Sequence, residues 1–177
     1  EQENQSQSEE ETDTASENEE NPNTEEQSET PVTDKPKRSV RISTLLGALD
    51  IQDVIYEAAE YPGKLFNLIV TDDLSINSES YGIFTVDSET IGSVYEYEFE
   101  NEFEAGENFE IIKNRSEQFQ GIETNQTNQF GDQSYYINNA VKTNLVYVIV
   151  QKDNYLYAFA YRKSLHETFK GFFAVLL

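Results

Sequence analysis

Hydrophobic and polar positions follow their clearest pattern at the end of the chain. From Leu145 to Gln151 the run is β-branched, aliphatic and aromatic, with no charge, and Lys152-Asp153-Asn154 then interrupts it. Tyr155, Tyr157, Phe159 and Tyr161 follow at period two, with Leu156, Ala158 and Ala160 between them. This alternation predicts two strands. Asp and Asn tolerate the positive φ of the tight turn that would join them. Both strands are apolar on both faces, which predicts central places in a sheet covered on each side. Ser164-Leu165-His166-Glu167 then reads as a capping box. Leu165, Phe169, Phe172, Phe173 and Leu176 recur at helical spacing behind it, so a closing helix should dock on the hairpin.

Upstream the pattern is less even. Asp50 is placed to cap a helix with Ile51, Val54, Ile55 and Ala58 on one face, ended by Pro62-Gly63. "LFNLIV" (65–70) and "YGIFTV" (81–86) read as strands, with the polar loop "TDDLSINSES" between them. Residues 88–104 carry two periods at once. Tyr95, Tyr97, Phe99 and Phe103 fit a strand, while Ile91, Tyr95, Phe99 and Phe103 fit a helix. Asp87 or Ser88 as N-cap, the many Glu and a stop at Ala105-Gly106 favour the helix. "FEIIK" (109–113) reads as a strand, residues 119–122 as a short edge strand and "GDQSYYINN" (131–139) as another strand. Short connections between the late strands imply antiparallel pairing. The expected fold class is α+β, a mainly antiparallel sheet with packed helices.

Composition changes this picture at one end. Residues 1–38 are almost wholly Glu, Gln, Asn, Ser and Thr, with a basic border at Lys35, Lys37, Arg38 and Arg41. Such a segment buries too little apolar surface to offset its ordering entropy. A disordered acidic tether over 1–38 and a single domain over 39–177 are therefore expected. The net charge is −22, about half of it in the tether. That balance argues against nucleic acid, whose phosphates need a basic face, and against unaided adsorption to anionic lipid. There is no Cys, hence no disulfide framework and no thiolate chemistry. The chain contains no Met and begins at Glu1, so a segment upstream is expected.

A polar, acidic, repetitive N-terminus ahead of a compact domain resembles the mature part of Gram-positive-type bacterial lipoproteins. The resemblance implies a signal peptide and a lipid-bearing Cys upstream of Glu1. It also implies an extracytoplasmic domain held at the cell membrane by its tether, with membrane contact only through that lipid. The stretch "FGDQSYYINN", followed by the hairpin and "HETFKGFF", is similar in layout to several secreted bacterial domains, which agrees with an α+β fold.

Candidate chemistry is sparse. His166 is the one histidine and is read as a first-turn surface residue. No nucleophile elbow, Walker loop, dinucleotide fingerprint or zincin motif occurs. No catalytic residue, metal site or cofactor is assigned. Among the acids, Asp72 and Asp73 at a strand end are the candidates for a hard cation or for acid–base work. Glu96, Glu98, Glu100, Glu102 and Glu104 read as a solvated face. Three Asn-x-Ser/Thr sequons, at Asn4, Asn114 and Asn125, matter only in a glycosylating source. Binding candidates lie in the Asn/Gln-rich loop at 115–133 and the strand after it. They are Asn125, Gln129, Tyr135 and Tyr136, the two tyrosines pointing to opposite faces. The expected function is non-enzymatic binding of a protein, peptide or envelope component. The alternatives are a small carboxylate- or cation-dependent hydrolase, and an immunity or inhibitor protein that captures a cationic peptide.

Overall fold

A computed structural model describes residue 42, residues 46–139 and residues 143–175. The chain divides into two units, Glu1–Lys37 and Arg38–Leu177, and every described residue lies in the second. The tether expected over 1–38, its basic border and Leu176 lie outside the described residues. The second unit is an antiparallel seven-stranded sheet with two α-helices, the α+β class that the patterning predicts. A short 3-10 turn, Leu46–Ala48, comes first. Then come β1 (Ile55–Ala59), β2 (Ser78–Val86), β3 (Glu89–Glu98), α1 (Glu102–Glu117), β4 (Ile122–Gln126), β5 (Gln133–Asn139), β6 (Leu145–Lys152), β7 (Tyr155–Arg162) and α2 (His166–Phe173). The sheet order is β1-β2-β3-β7-β6-β5-β4, and every neighbouring pair is antiparallel.

The terminal hairpin is central, as its two apolar faces require. Lys152 pairs with Tyr155 around the turn, where Asp153 takes φ 52°. One face of β7 carries Tyr157, Phe159 and Tyr161, packed with Phe84, Val148 and the α2 residues Phe169, Phe172 and Phe173. Its other face carries Leu156 and Ala158, packed with Tyr95, Tyr97, Phe99, Tyr135, Ile149 and the α1 residues Ala105, Phe109 and Ile112. The sheet thus has a core on each side, α2 closing one and α1 the other.

Several local expectations are corrected. The helix expected after Asp50 is edge strand β1. Its proposed apolar face is not buried, since Ile55 is 55% exposed. Instead Tyr56 lies over Gly82 and against the Phe84 ring, 5.4 Å away. The missing side chain at Gly82 is what leaves room for that ring. "LFNLIV" is not a strand but a tight loop held by one bridge, Leu65 to Ile69. Phe66 and Asn67 there both adopt positive φ, 55° and 58°. Residues 89–98 form a strand rather than a helix. Asp87 and Ser88, at φ 50° and 66°, are the two-residue hairpin turn and not an N-cap. Burial of Tyr95 and Tyr97 on one face and Val94 on the other outweighs the helix propensity of the Glu residues.

The helix begins only after Asn101, whose Oδ1 accepts from the Glu104 amide at 2.9 Å. Gly106 is therefore helix interior and not a stop, and "FEIIK" is helical because Phe109 and Ile112 share the buried stripe with Ala105. The edge strand expected at 119–122 lies at Ile122–Gln126. The capping box does not form. Ser164 sits in a 3-10 turn, Lys163–Leu165, and α2 starts at His166 without a side-chain cap.

One turn is sterically demanding. Gly131 leads into β5 with φ +59°, and a Cβ there would overlap the Gln151 carbonyl oxygen. Left-handed backbone and backbone overlap both penalise a larger residue. Gly131→Ala is expected to destabilise the domain by about 2–4 kcal/mol, read as a lower urea midpoint at unchanged m-value.

Candidate functional site

The hairpin tip and the start of α1 are built as one piece. The Phe99 amide donates to the Asn154 carbonyl at 2.9 Å, and Asn154 Nδ2 donates back to the Phe99 carbonyl at 2.8 Å. The buried Gln151 amide donates through Nε2 to the Glu102 carbonyl at 3.1 Å, and its Oε1 accepts from Gln133 Nε2. These bonds fix the first turn of α1 against β6 and β7. Ala105, Asn108, Phe109, Ile112 and Ser116 then face the core. The two polar members of that stripe bond back along the helix, Asn108 Nδ2 to the Glu104 carbonyl and Ser116 Oγ to the Ile112 carbonyl, both at 2.8 Å.

The opposite face of α1 is left uncovered. Residues 103, 107 and 111 are four apart and so share one side of the helix. Phe103 is 72% exposed and Ile111 is 38% exposed, with the exposed Glu107 between them. A shallow open surface surrounds this ridge. Asp73 and Ser75 bound it on one flank, Asp132, Gln133 and Gln151 on the other. Its acids are Asp73, Glu102, Glu104, Glu107, Glu110 and Asp132, with no Lys or Arg among the described lining residues. Three of these acids are paired, Glu110 with Lys113 (3.7 Å), Asp132 with Lys152 (3.4 Å) and Asp73 with Arg115 (2.7 Å). Glu102, Glu104 and Glu107 have no cationic partner among the described residues. Glu102 and Glu104 lie in the first turn, where the helix dipole favours acids. Glu107 and Glu110 lie beyond it.

Asp72 and Asp73 both line a shallow depression with Val70, Arg115 and Phe119. Both are exposed. Asp73 is held bidentately by Arg115, at 2.8 and 2.7 Å, and those hydrogen bonds keep its carboxyl below the usual range. Arg115 also donates to the Val70 carbonyl at 2.6 Å, so the pair ties the loop after β1 to α1. Among the described residues no group of three or more His, Cys, Asp or Glu is placed to hold a metal ion. Of the binding candidates, Tyr135 is fully buried against Phe109, rings 5.0 Å apart. Its hydroxyl is buried too, beside Ser116 and with no well-formed hydrogen bond among the described residues, so it offers no surface. Tyr136 points to the α2 side, half-buried, its ring 5.7 Å from that of His166. Asn125 and Gln129 are exposed, on the edge strand β4 and in the following turn.

Of the other acids, Glu98 faces Tyr155. Burial, with a smaller contribution from Glu98, pushes that phenol up to about 12. The ridge residues Phe103, Glu107 and Ile111 are not among the candidates that the sequence offers, because its competing periods favour a helix over 88–104. The signal that locates their own helix is Asn101 as cap, followed by apolar residues at 105, 109 and 112. Phe103 and Ile111 are the two apolar residues that this stripe leaves out.

No described helix is long and apolar enough to cross a membrane. Comparison of the chain with protein-family models, with curated proteins and with solved structures finds no match.

His166 sits in a second, smaller cluster. Its Nδ1 is 2.9 Å from the Tyr161 hydroxyl, and its ring stacks on that of Tyr161 at 6.0 Å. Burial lowers its pKa from the ordinary 6.5, and Lys170 and Lys163 act in the same direction against Glu167. The unfolded chain therefore takes up this proton at a higher pH than the folded one. Stability from this group is present above the ordinary imidazole value and is lost as pH falls through it toward the lower folded value. His166→Phe is expected to flatten the fall in urea midpoint between about pH 7 and about pH 5, compared with the unsubstituted domain.

Proposed function

We propose that this is a non-enzymatic, extracytoplasmic binding domain of the lipoprotein type, and that the outward ridge of α1 is its contact surface. The observation that carries the reading is Phe103, a large aromatic left 72% exposed on a helix whose opposite face is completely buried. Covering a side chain of that size stabilises a complex by about 1.5–3 kcal/mol. Aromatic side chains are also the usual anchors of protein contacts. The element that presents it is rigid, since α1 is fixed by its Asn101 cap, by Gln151 and by the Arg115–Asp73 pair. A rigid ridge loses little conformational entropy on binding.

The ridge should answer to a peptide library in a defined way. Peptides selected on the folded domain are expected to shift backbone amide resonances at residues 102–111, 132–133 and 151, and Phe103→Ser should weaken their binding about tenfold or more. Selected peptides that shift only the His166 and Tyr136 cluster, or a failure to select any binder, would remove the ridge as the contact surface. The compartment is tested separately, by the mass of the native N-terminus in membrane and soluble fractions of the source cell. A lipid-modified Cys upstream of Glu1 in the membrane fraction is expected. An unmodified chain confined to the soluble fraction would defeat the lipoprotein reading.

A further inference from the structure

The ridge has a chemical preference written into its flanks, and the following inference rests on its being a contact surface. We infer that it docks a cationic amphipathic helix, one that sets apolar side chains against Phe103 and Ile111 and a Lys or Arg against Glu107. The spacing is the first argument. Phe103 and Ile111 are eight residues apart on one helix, about 12 Å at 1.5 Å rise per residue, with Glu107 midway. A second helix laid along α1 presents side chains at the same interval, so an apolar–cationic–apolar series at four-residue steps meets apolar–acidic–apolar.

Charge is the second argument. Glu102, Glu104 and Glu107 lack cationic partners among the described residues, while the other three acids of the lining are paired with Lys113, Lys152 and Arg115. An acidic or neutral helix would have to bring like charge beside these carboxylates or leave them without compensation. A second copy of this chain is disfavoured on the same ground, because each copy carries a net charge of −22 and would oppose its ridge to an identical one. The flanks supply a third element. Gln133 Nε2 donates to Gln151 Oε1 and Gln151 Nε2 donates to the Glu102 carbonyl, so these two polar side chains, beside Asp132 on the same flank, are already ordered.

Three 18-residue peptides test this on the whole chain: a Leu/Lys helix that sets Leu, Lys and Leu at four-residue steps along one face, the same sequence with Glu for Lys, and a Leu/Lys scramble that breaks this order. The Leu/Lys helix is expected to bind, to shift amides of α1, and to weaken about tenfold or more between about 50 mM and about 500 mM NaCl. Phe103→Ser should weaken it while leaving the salt slope in place. Glu107→Lys, a change at an exposed helix position, should weaken the Leu/Lys peptide and improve the Leu/Glu one.

Equal binding of the Leu/Glu helix at α1, or of the scramble, would overturn the cationic-helix inference and leave the ridge as a contact surface. No shift at α1 with any peptide would overturn both. Saturation of the α1 shifts by micromolar calcium alone would assign the acids to a cation instead. A dimer with α1 protected, seen in sedimentation and hydrogen exchange without peptide, would assign the ridge to self-association. Either result overturns the inference.

Discussion

Strand β7 is the constraint on which the rest of this structure depends. It alternates large and small residues, with Tyr155, Tyr157, Phe159 and Tyr161 on one face and Leu156, Ala158 and Ala160 on the other. Both faces are buried, so the strand needs a cover on each side. The aromatic face is closed by α2, where Phe169 stacks on Tyr161 at 4.3 Å and 7° between planes. The small face leaves room for bulk arriving from neighbours. Tyr95 and Tyr147 fill it from β3 and β6, and Phe66 closes over both, at 5.6 and 4.9 Å. The left-handed backbone of Phe66 and Asn67 is the local cost of placing that ring, about 1–2 kcal/mol per residue for ordinary side chains, and burial of Leu65 and Ile69 beside it offsets that cost.

The same hairpin decides where α1 begins. Asn154 and Gln151 lie at its tip, and their side-chain amides hold the Phe99 and Glu102 carbonyls. The core contacts of Phe109 and Ile112 then fix the rotation of the helix. Once the rotation is set, Phe103, Glu107 and Ile111 have no choice but to face outward. Exposure of the ridge is thus a consequence of core packing and not of a loose surface. The Asp73–Arg115 pair is exposed and contributes little to overall stability on its own, yet it joins the loop after β1 to the helix and frames one flank of the ridge.

The architecture was legible where one signal dominated and obscure where two competed. The terminal hairpin, its central place and the closing aromatic helix follow from period-two and helical spacing without ambiguity. Residues 88–104 gave both periods. There the deciding fact was long-range, because the segment is sandwiched between β2 and β7, and no local propensity reports that. Asp87-Ser88 suits a cap and a hairpin turn equally, since both exploit short polar side chains. With a cap at Asp87-Ser88 the helix shifts upstream, "FEIIK" reads as a strand and the ridge vanishes; it exists only when Asn101 is the cap. Tyr135 and Tyr136 were correctly opposed across the sheet, but their relative exposure depended on α1 covering the former.

The net charge bears on the ridge in a way that composition alone does not suggest. An exposed Phe and Ile on one helix face would ordinarily invite association between copies. Here the carboxylates that flank them are present on every copy, so close approach of two ridges concentrates like charge in the volume from which water must leave. Repulsion of that kind grows as the surfaces dry, because the effective dielectric falls. A cationic partner reverses the sign of the same interaction and gains from the same drying. On the proposed reading of the ridge, the acids around Phe103 act as a filter. They leave the apolar contact available and make its use conditional on the charge of what approaches.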